Sequence, residues 1–176
     1  MRKLKVAALG AGAVLAFHVA HGVTGGTATT LTTPSGPVNG AYLDSDQQQF
    51  GNRLAADTGL NSGVITAWLL SEESGSAAAS RQAAGNNDWL NIGYTDSGTY
   101  GSGDGIWGSP TSAADATAGW IEGHDTIPGF GAASSGIRAI TGAAGQGAAA
   151  QIAAIQGSGW ASSGYPDMDA LYRQVA

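Results

Sequence analysis

The sequence predicts a mainly α domain of α+β type, about six helices around one small irregular β-hairpin, and three observations carry the prediction. Apolar residues recur at helical spacing between cap signals along most of the chain beyond residue 40. The exception lies between Gly85 and Pro110, where aromatic and β-branched residues are punctuated by "SGTYGSGDG", the pattern of a hairpin rather than a helix. No internal repeat divides the chain, and 176 residues of 43% hydrophobic composition suffice for one core.

The elements follow in order. "MRKLKVAALGAGAVLAFHVAHG" has a basic start, an apolar run from Val6 to Phe17 and small residues Ala20 and Gly22, the layout of a signal peptide or signal-anchor over residues 1–22. Residues 23–40 are Thr, Gly and Pro without apolar periodicity, an expected linker, so the folded domain is expected over 41–176. "LDSDQQQFGNRLAADTG" reads as a helix with Asp44 or Ser45 as N-cap, Phe50 and Leu54 on one face, and Gly59 just past its end. "NSGVITAWLLSEES" reads as its partner, capped by Asn61, with Val64, Ile65, Trp68 and Leu69 forming a stripe. After the β segment, Ser109 and Pro110 restart a helix through "SPTSAADATAGWIEG". Ala- and Ile-rich helices follow near 132–142 and 146–156, and "DMDALYRQV" closes the chain behind Asp167 as its cap.

Composition excludes several functions. Three of the seven basic residues are Arg2, Lys3 and Lys5, and all 13 acids lie at or beyond Asp44; the rest of the chain therefore sets four basic residues against 13 acids, a net charge of −9. A body of that charge is repelled by phosphate backbones, so no nucleic-acid partner is expected. There is no cysteine, hence no disulfide framework and no thiol nucleophile. His18, His21 and His124 have no ligand spacing, so neither a metal nor any other cofactor is implied. "GSGDG" lacks the Lys and Ser/Thr of a phosphate loop.

The chemistry concentrates at "AWLLSEES", residues 67–74, where two of the three glutamates in the chain stand side by side. Glu72 follows Trp68 by one helical turn and Glu73 follows Leu69, so both continue apolar stripes and spacing alone does not choose between them. Paired acids at a helix C-terminus are ordinarily solvated. A carboxyl shielded by apolar walls instead keeps its proton and serves as a general acid at a glycosidic oxygen. "NNDWLNIGY", residues 86–94, adds Asn side chains suited to sugar hydroxyl or N-acetyl groups, and Trp89 and Tyr94 as flat faces for pyranose rings; turn-forming Asn residues with core aromatics give the same pattern. Trp107 fits a saccharide floor and a small-core anchor equally, while Trp120 beside Ile121 reads as core.

"TGLNSGVITAWLLSEES", "NNDWLNIGYTDSG", "GIWGSPTSAADATAGWI" and "QIAAIQGSGWASSGYPDMDALY", in this order, resemble a phage and actinobacterial branch of the lysozyme-like superfamily, close to the glucosaminidase-type peptidoglycan hydrolases, over residues 45–174. The resemblance implies a lysozyme-like catalytic domain. A Trp followed four residues later by the catalytic Glu puts that role on Glu72. The Asn-Pro-Leu-Asn-Ile loop of the family falls on Leu90, Asn91 and Ile92, and the terminal Trp-Ala segment leading to a site-lining Tyr falls on Trp160, Ala161 and Tyr165. Asp88 and Trp89 stand where Asn-Pro is usual, and Glu73 is an alternative catalytic carboxylate.

The implied function is cleavage of the β-1,4 bond between N-acetylated sugars of the cell wall, with Glu72 as general acid and Trp89, Asn91, Tyr94 and Tyr165 binding substrate. Asp88, Asp96 and Asp104 are the nearby acids for a second group, and the substrate's own N-acetyl group or a held water is the other means of completing the reaction. The alternatives the resemblance leaves are a non-catalytic glycan-binding or structural member of the same fold and a lytic transglycosylase. The expected partner is the glycan strand of peptidoglycan, met by a monomer that is secreted, envelope-associated or carried on a virion, with membrane contact only through an N-terminal anchor.

Overall fold

The structure, a computed structural model, describes residues 36–73, 85–92, 94–95, 98–99, 107–127 and 131–176. The expected signal or anchor therefore lies outside the described residues, as do Asp96 and Asp104. Among the described residues no helix is long and apolar enough to cross a membrane.

Among the described residues six helices run in the order α1 (Ser45–Thr58), α2 (Ser62–Glu73), α3 (Pro110–Glu122), α4 (Ser135–Gly142), α5 (Ala148–Gly157) and α6 (Met168–Val175). The mainly helical architecture with a small hairpin is the one expected. The hairpin pairs β1 (Tyr94–Thr95) with β2 (Gly98–Thr99), antiparallel, with Tyr94 opposite Thr99. A second two-residue hairpin, β3 (Thr126–Ile127) with β4 (Gly131–Ala132), was not expected; two residues per strand leave too little alternation to read.

Local chemistry sets the helix ends. Asp44 caps α1: its Oδ1 accepts the Asp46 and Gln47 amides at 2.9 Å each, and Gln47 Oε1 accepts the Asp44 amide in return, closing a capping box. Gly59 ends the helix at φ 69°, a left-handed conformation that costs glycine little. Asn61 Oδ1 accepts the Gly63 and Val64 amides at the start of α2. Ser109 and Ser112 form the same box at α3, with Pro110 in its first turn. Asp167 departs from expectation. It precedes α6, but its side chain makes no capping bond, and its carbonyl alone accepts from Leu171.

Helix α2 is the axis of the core and packs against α1, α5 and α6. Val64, Ile65, Ala67, Trp68 and Leu69 are all fully buried, so the helix is apolar on every side rather than along a stripe. Its start is pinned from α5, where buried Gln151 accepts the Asn61 amide at 2.8 Å. The expected linker of residues 23–40 also ends earlier than its composition suggests. Val38 is only 3% exposed, its amide donates to Asn52 Oδ1, and Asn39 reaches both Thr66 on α2 and the Val175 carbonyl of α6. The folded body thus extends at least to Val38, because one valine in a gap between helices is enough to draw the chain in.

Candidate active site

Helix α2 delivers Glu72 at its last turn, half-buried, one turn beyond buried Trp68. Two donors converge on its carboxyl group from distant parts of the chain. Asn91, 19 positions on, donates from Nδ2 to Oε2 at 3.0 Å. Tyr165, 93 positions on, donates its hydroxyl to Oε1. Three of the residues that the family resemblance singled out, Glu72, Asn91 and Tyr165, therefore meet at one carboxyl group.

Each donor sits on an unusual backbone. Asn91 has φ 55° and Tyr165 φ 49°, in the left-handed region that costs a residue with a Cβ about 1–2 kcal/mol. Asn tolerates that region better than most residues; Tyr does not. Loop contacts hold Asn91 in place: its amide donates to the Asp88 carbonyl at 3.1 Å, and Asp88 Oδ1 accepts the Ile92 amide at 2.8 Å. The turn around Tyr165 is held by Gln156 of α5, which donates to the Tyr165 carbonyl at 3.0 Å, and by the Met168 amide at 3.2 Å on the same oxygen. Among the described residues three non-glycine residues have positive φ, and two of them, Asn91 and Tyr165, are partners of this carboxylate; the third is Asn87.

The Tyr165 side chain is buried, and its acidity responds. Burial pushes the phenol well above the ordinary tyrosine value, and the negative charge of Glu72 and the hydrogen bond donated to it push the same way. Trp68 opposes this weakly. Its indole Nε1 is buried without a hydrogen-bond partner among the described residues. The Tyr165 hydroxyl consequently keeps its proton and remains a donor throughout the neutral range.

Three indoles pack on one another, one of them Trp68, a helical turn before Glu72. Trp160 stands edge-on to Trp68, with ring centres 4.7 Å apart and planes at 78°, and edge-on to Trp120 at 5.5 Å and 70°. Trp120, expected in the core, is buried, and its Nε1 donates to the Gly131 carbonyl. Trp107 is partly buried against the core, and its backbone is tied to the 85–92 loop by the Asn86 carbonyl and the Asn87 side chain.

The other expected site residues fare differently. Trp89 does not line a cleft: it is 1% exposed, packed against Phe50 with ring centres 5.6 Å apart, and has no free face for a sugar. Its neighbour Leu90 is buried as well. Asp88 is 2% exposed and its carboxylate supports the loop, which occupies it structurally. Tyr94 lies on β1 and Glu73 is the last residue of α2, but the side chains of both fall outside the described residues. Among the described residues no group of His, Asp and Glu could hold a metal ion. Gln156 and the Trp160–Leu90 contact escaped the sequence reading; "QGSGW" announces a turn after α5, but nothing in it names the partner of either side chain.

No family model, curated protein or solved structure matches the chain.

Proposed function

We propose that the protein is a peptidoglycan glycosidase that cleaves the β-1,4 bond between N-acetylated sugars, with Glu72 as general acid. The observation that carries the proposal is the convergence of Asn91 and Tyr165 on the half-buried Glu72 carboxyl group, each held there by a strained backbone.

A carboxyl group has two oxygens with two acceptor sites each, and Asn91 and Tyr165 each donate to a different oxygen. In the proposed reaction a proton passes from Glu72 to the glycosidic oxygen as the bond to the anomeric carbon breaks. Asn91 and Tyr165 then stabilise the carboxylate left behind, since hydrogen bonds to the charged form favour it. Tyr165 suits this role because it stays protonated itself. Asp88 is already engaged in the loop, so the substrate's own N-acetyl oxygen or a water activated by the Glu72 carboxylate completes the reaction. Asn91 and Tyr165 thereby act on the acid, and through it on the sugar.

The test is the release of sugar ends from purified peptidoglycan by the full chain, with mass spectrometry of the soluble fragments. Glu72→Gln is expected to lower release by at least about a hundredfold while the circular-dichroism spectrum is kept. Glu73→Gln is expected to retain it. A dead Glu73→Gln with an active Glu72→Gln moves the acid by one residue, and binding of the glycan without any release assigns the chain to the non-catalytic class. Anhydro-sugar ends in place of reducing ends identify a transglycosylase.

A further inference from the structure

The loop that carries Asn91 and the turn that carries Tyr165 are joined by one side-chain contact that avoids Glu72. Trp160 follows the C-terminal end of α5, five residues before Tyr165, and its amide is fixed by Ser158 Oγ at 3.0 Å. Its indole Nε1 crosses to the Leu90 carbonyl at 3.1 Å, a contact between residues 70 positions apart.

The acceptor matters. The Leu90 carbonyl and the Asn91 amide belong to the same peptide plane. Trp160 Nε1 holds the oxygen end, and the Asp88 carbonyl holds the nitrogen end at 3.1 Å. A peptide group is planar, so fixing both ends fixes its rotation, and that rotation sets φ at Asn91 and the direction in which its side chain leaves the backbone. The observed φ of 55° is the strained value from which Nδ2 meets Glu72. The Trp160 ring is itself wedged against Trp68, one helical turn before Glu72, so the donor is located relative to the helix it serves.

We propose that Trp160 is a positioning residue for the Glu72 carboxyl group, acting through the Leu90–Asn91 peptide. It holds Asn91 in the left-handed conformation that directs Nδ2 onto Oε2, and so tunes the proton affinity of Glu72 without touching it. The proposal rests on Glu72 as the working acid, but its readout does not depend on turnover.

Carbon-13 NMR of the Glu72 carboxyl carbon across a pH titration of the full chain provides the test. Trp160→Phe keeps a ring in the indole cluster and removes the N–H. Losing the directed Asn91 donor removes a bond that favours the charged form, so the Glu72 midpoint is expected to rise by about 0.5 unit. In an Asn91→Ala background, Trp160→Phe is expected to add nothing, because the group it directs is gone. An unchanged midpoint, or equal shifts in both backgrounds, overturns the proposal. If Trp160→Phe does not fold, the native chain decides: the Trp160 indole nitrogen and Asn91 side-chain amide signals should move with the Glu72 midpoint, and a Trp160 signal flat through that titration overturns the proposal as well. If peptidoglycan is not cleaved while the cycle behaves as expected, the glycosidase function fails and the positioning role stands.

Discussion

Tyr165 shows most sharply how one residue serves the site. Its backbone is strained at φ 49°, its ring is buried, and its hydroxyl donates to Glu72. A hydrogen bond to a charged group is worth about 1.5–3 kcal/mol, which corresponds to roughly tenfold to a hundredfold in rate if the bond strengthens as the carboxylate forms. Tyr165→Phe is therefore expected to slow sugar release by about that factor.

The raised phenol pKa also has a consequence for stability. The fold holds this proton more tightly than the unfolded chain does, so the contribution is complete below the unfolded value of about 10 and declines as pH rises above it. The stability advantage of the native chain over Tyr165→Phe in urea unfolding should be full at about pH 8 and narrower at about pH 11. A gap that widens with pH contradicts the assignment.

At the scale of elements, close approach between helices decides where the site can form. A Cβ on Gly136, in the first turn of α4, would lie 2.5 Å from the Ser158 carbonyl oxygen, at the start of the turn that carries Trp160 and Tyr165. Backbone cannot yield there without moving that turn. Gly136→Ala is expected to cost about 1–3 kcal/mol in urea unfolding and to disturb the Tyr165–Glu72 contact. Gly142→Ala, at the end of the same helix and with nothing near the added carbon, should leave stability unchanged or slightly raised. Equal effects at the two positions would show that helix propensity, not proximity to α5, controls this region.

By contrast, Arg53 bridges Asp57 at 3.1 Å and Asp115 at 2.5 Å, joining α1 to α3 in solvent. About half of the Arg53 and Asp115 side chains is exposed, so this bridge adds little to the apolar seam beside it. The caps at Asp44, Asn61 and Ser109 were legible in the sequence because each is a bond between neighbours within one helical turn. The missing side-chain cap at Asp167 was not, since α6 is held by its packing on α2 and by Asn39 at its far end.

At the scale of the molecule, net charge bears on the encounter with the proposed cell-wall substrate. Beyond the basic N-terminus the chain carries −9, and cell walls bearing anionic polymers repel it. Screening shortens that repulsion to a Debye length of about 10 Å at 0.1 M salt. The rate of release from such walls is expected to rise as ionic strength increases from about 0.01 M to about 0.15 M. On an uncharged soluble N-acetylated oligosaccharide the same change should have little effect. A rate that falls with salt on the charged wall would mean that local basic groups, not net charge, control binding.

The sequence by itself determined the helices, the caps at Asp44, Asn61 and Ser109 and the candidates Glu72, Asn91 and Tyr165, because each of those signals is written within a few residues or in the resemblance of short motifs. Only the tertiary structure decided that Trp89 faces the core, that Val38 belongs to the folded body, and that Asn91 and Tyr165 serve the glutamate directly. It also supplied Gln156 and Trp160 as the side chains that hold those partners. The physical reason is reach. A cap is a bond between neighbours in the chain, whereas the carboxyl site joins positions up to 93 apart, and which of them meet depends on how buried indoles and helices share one small volume.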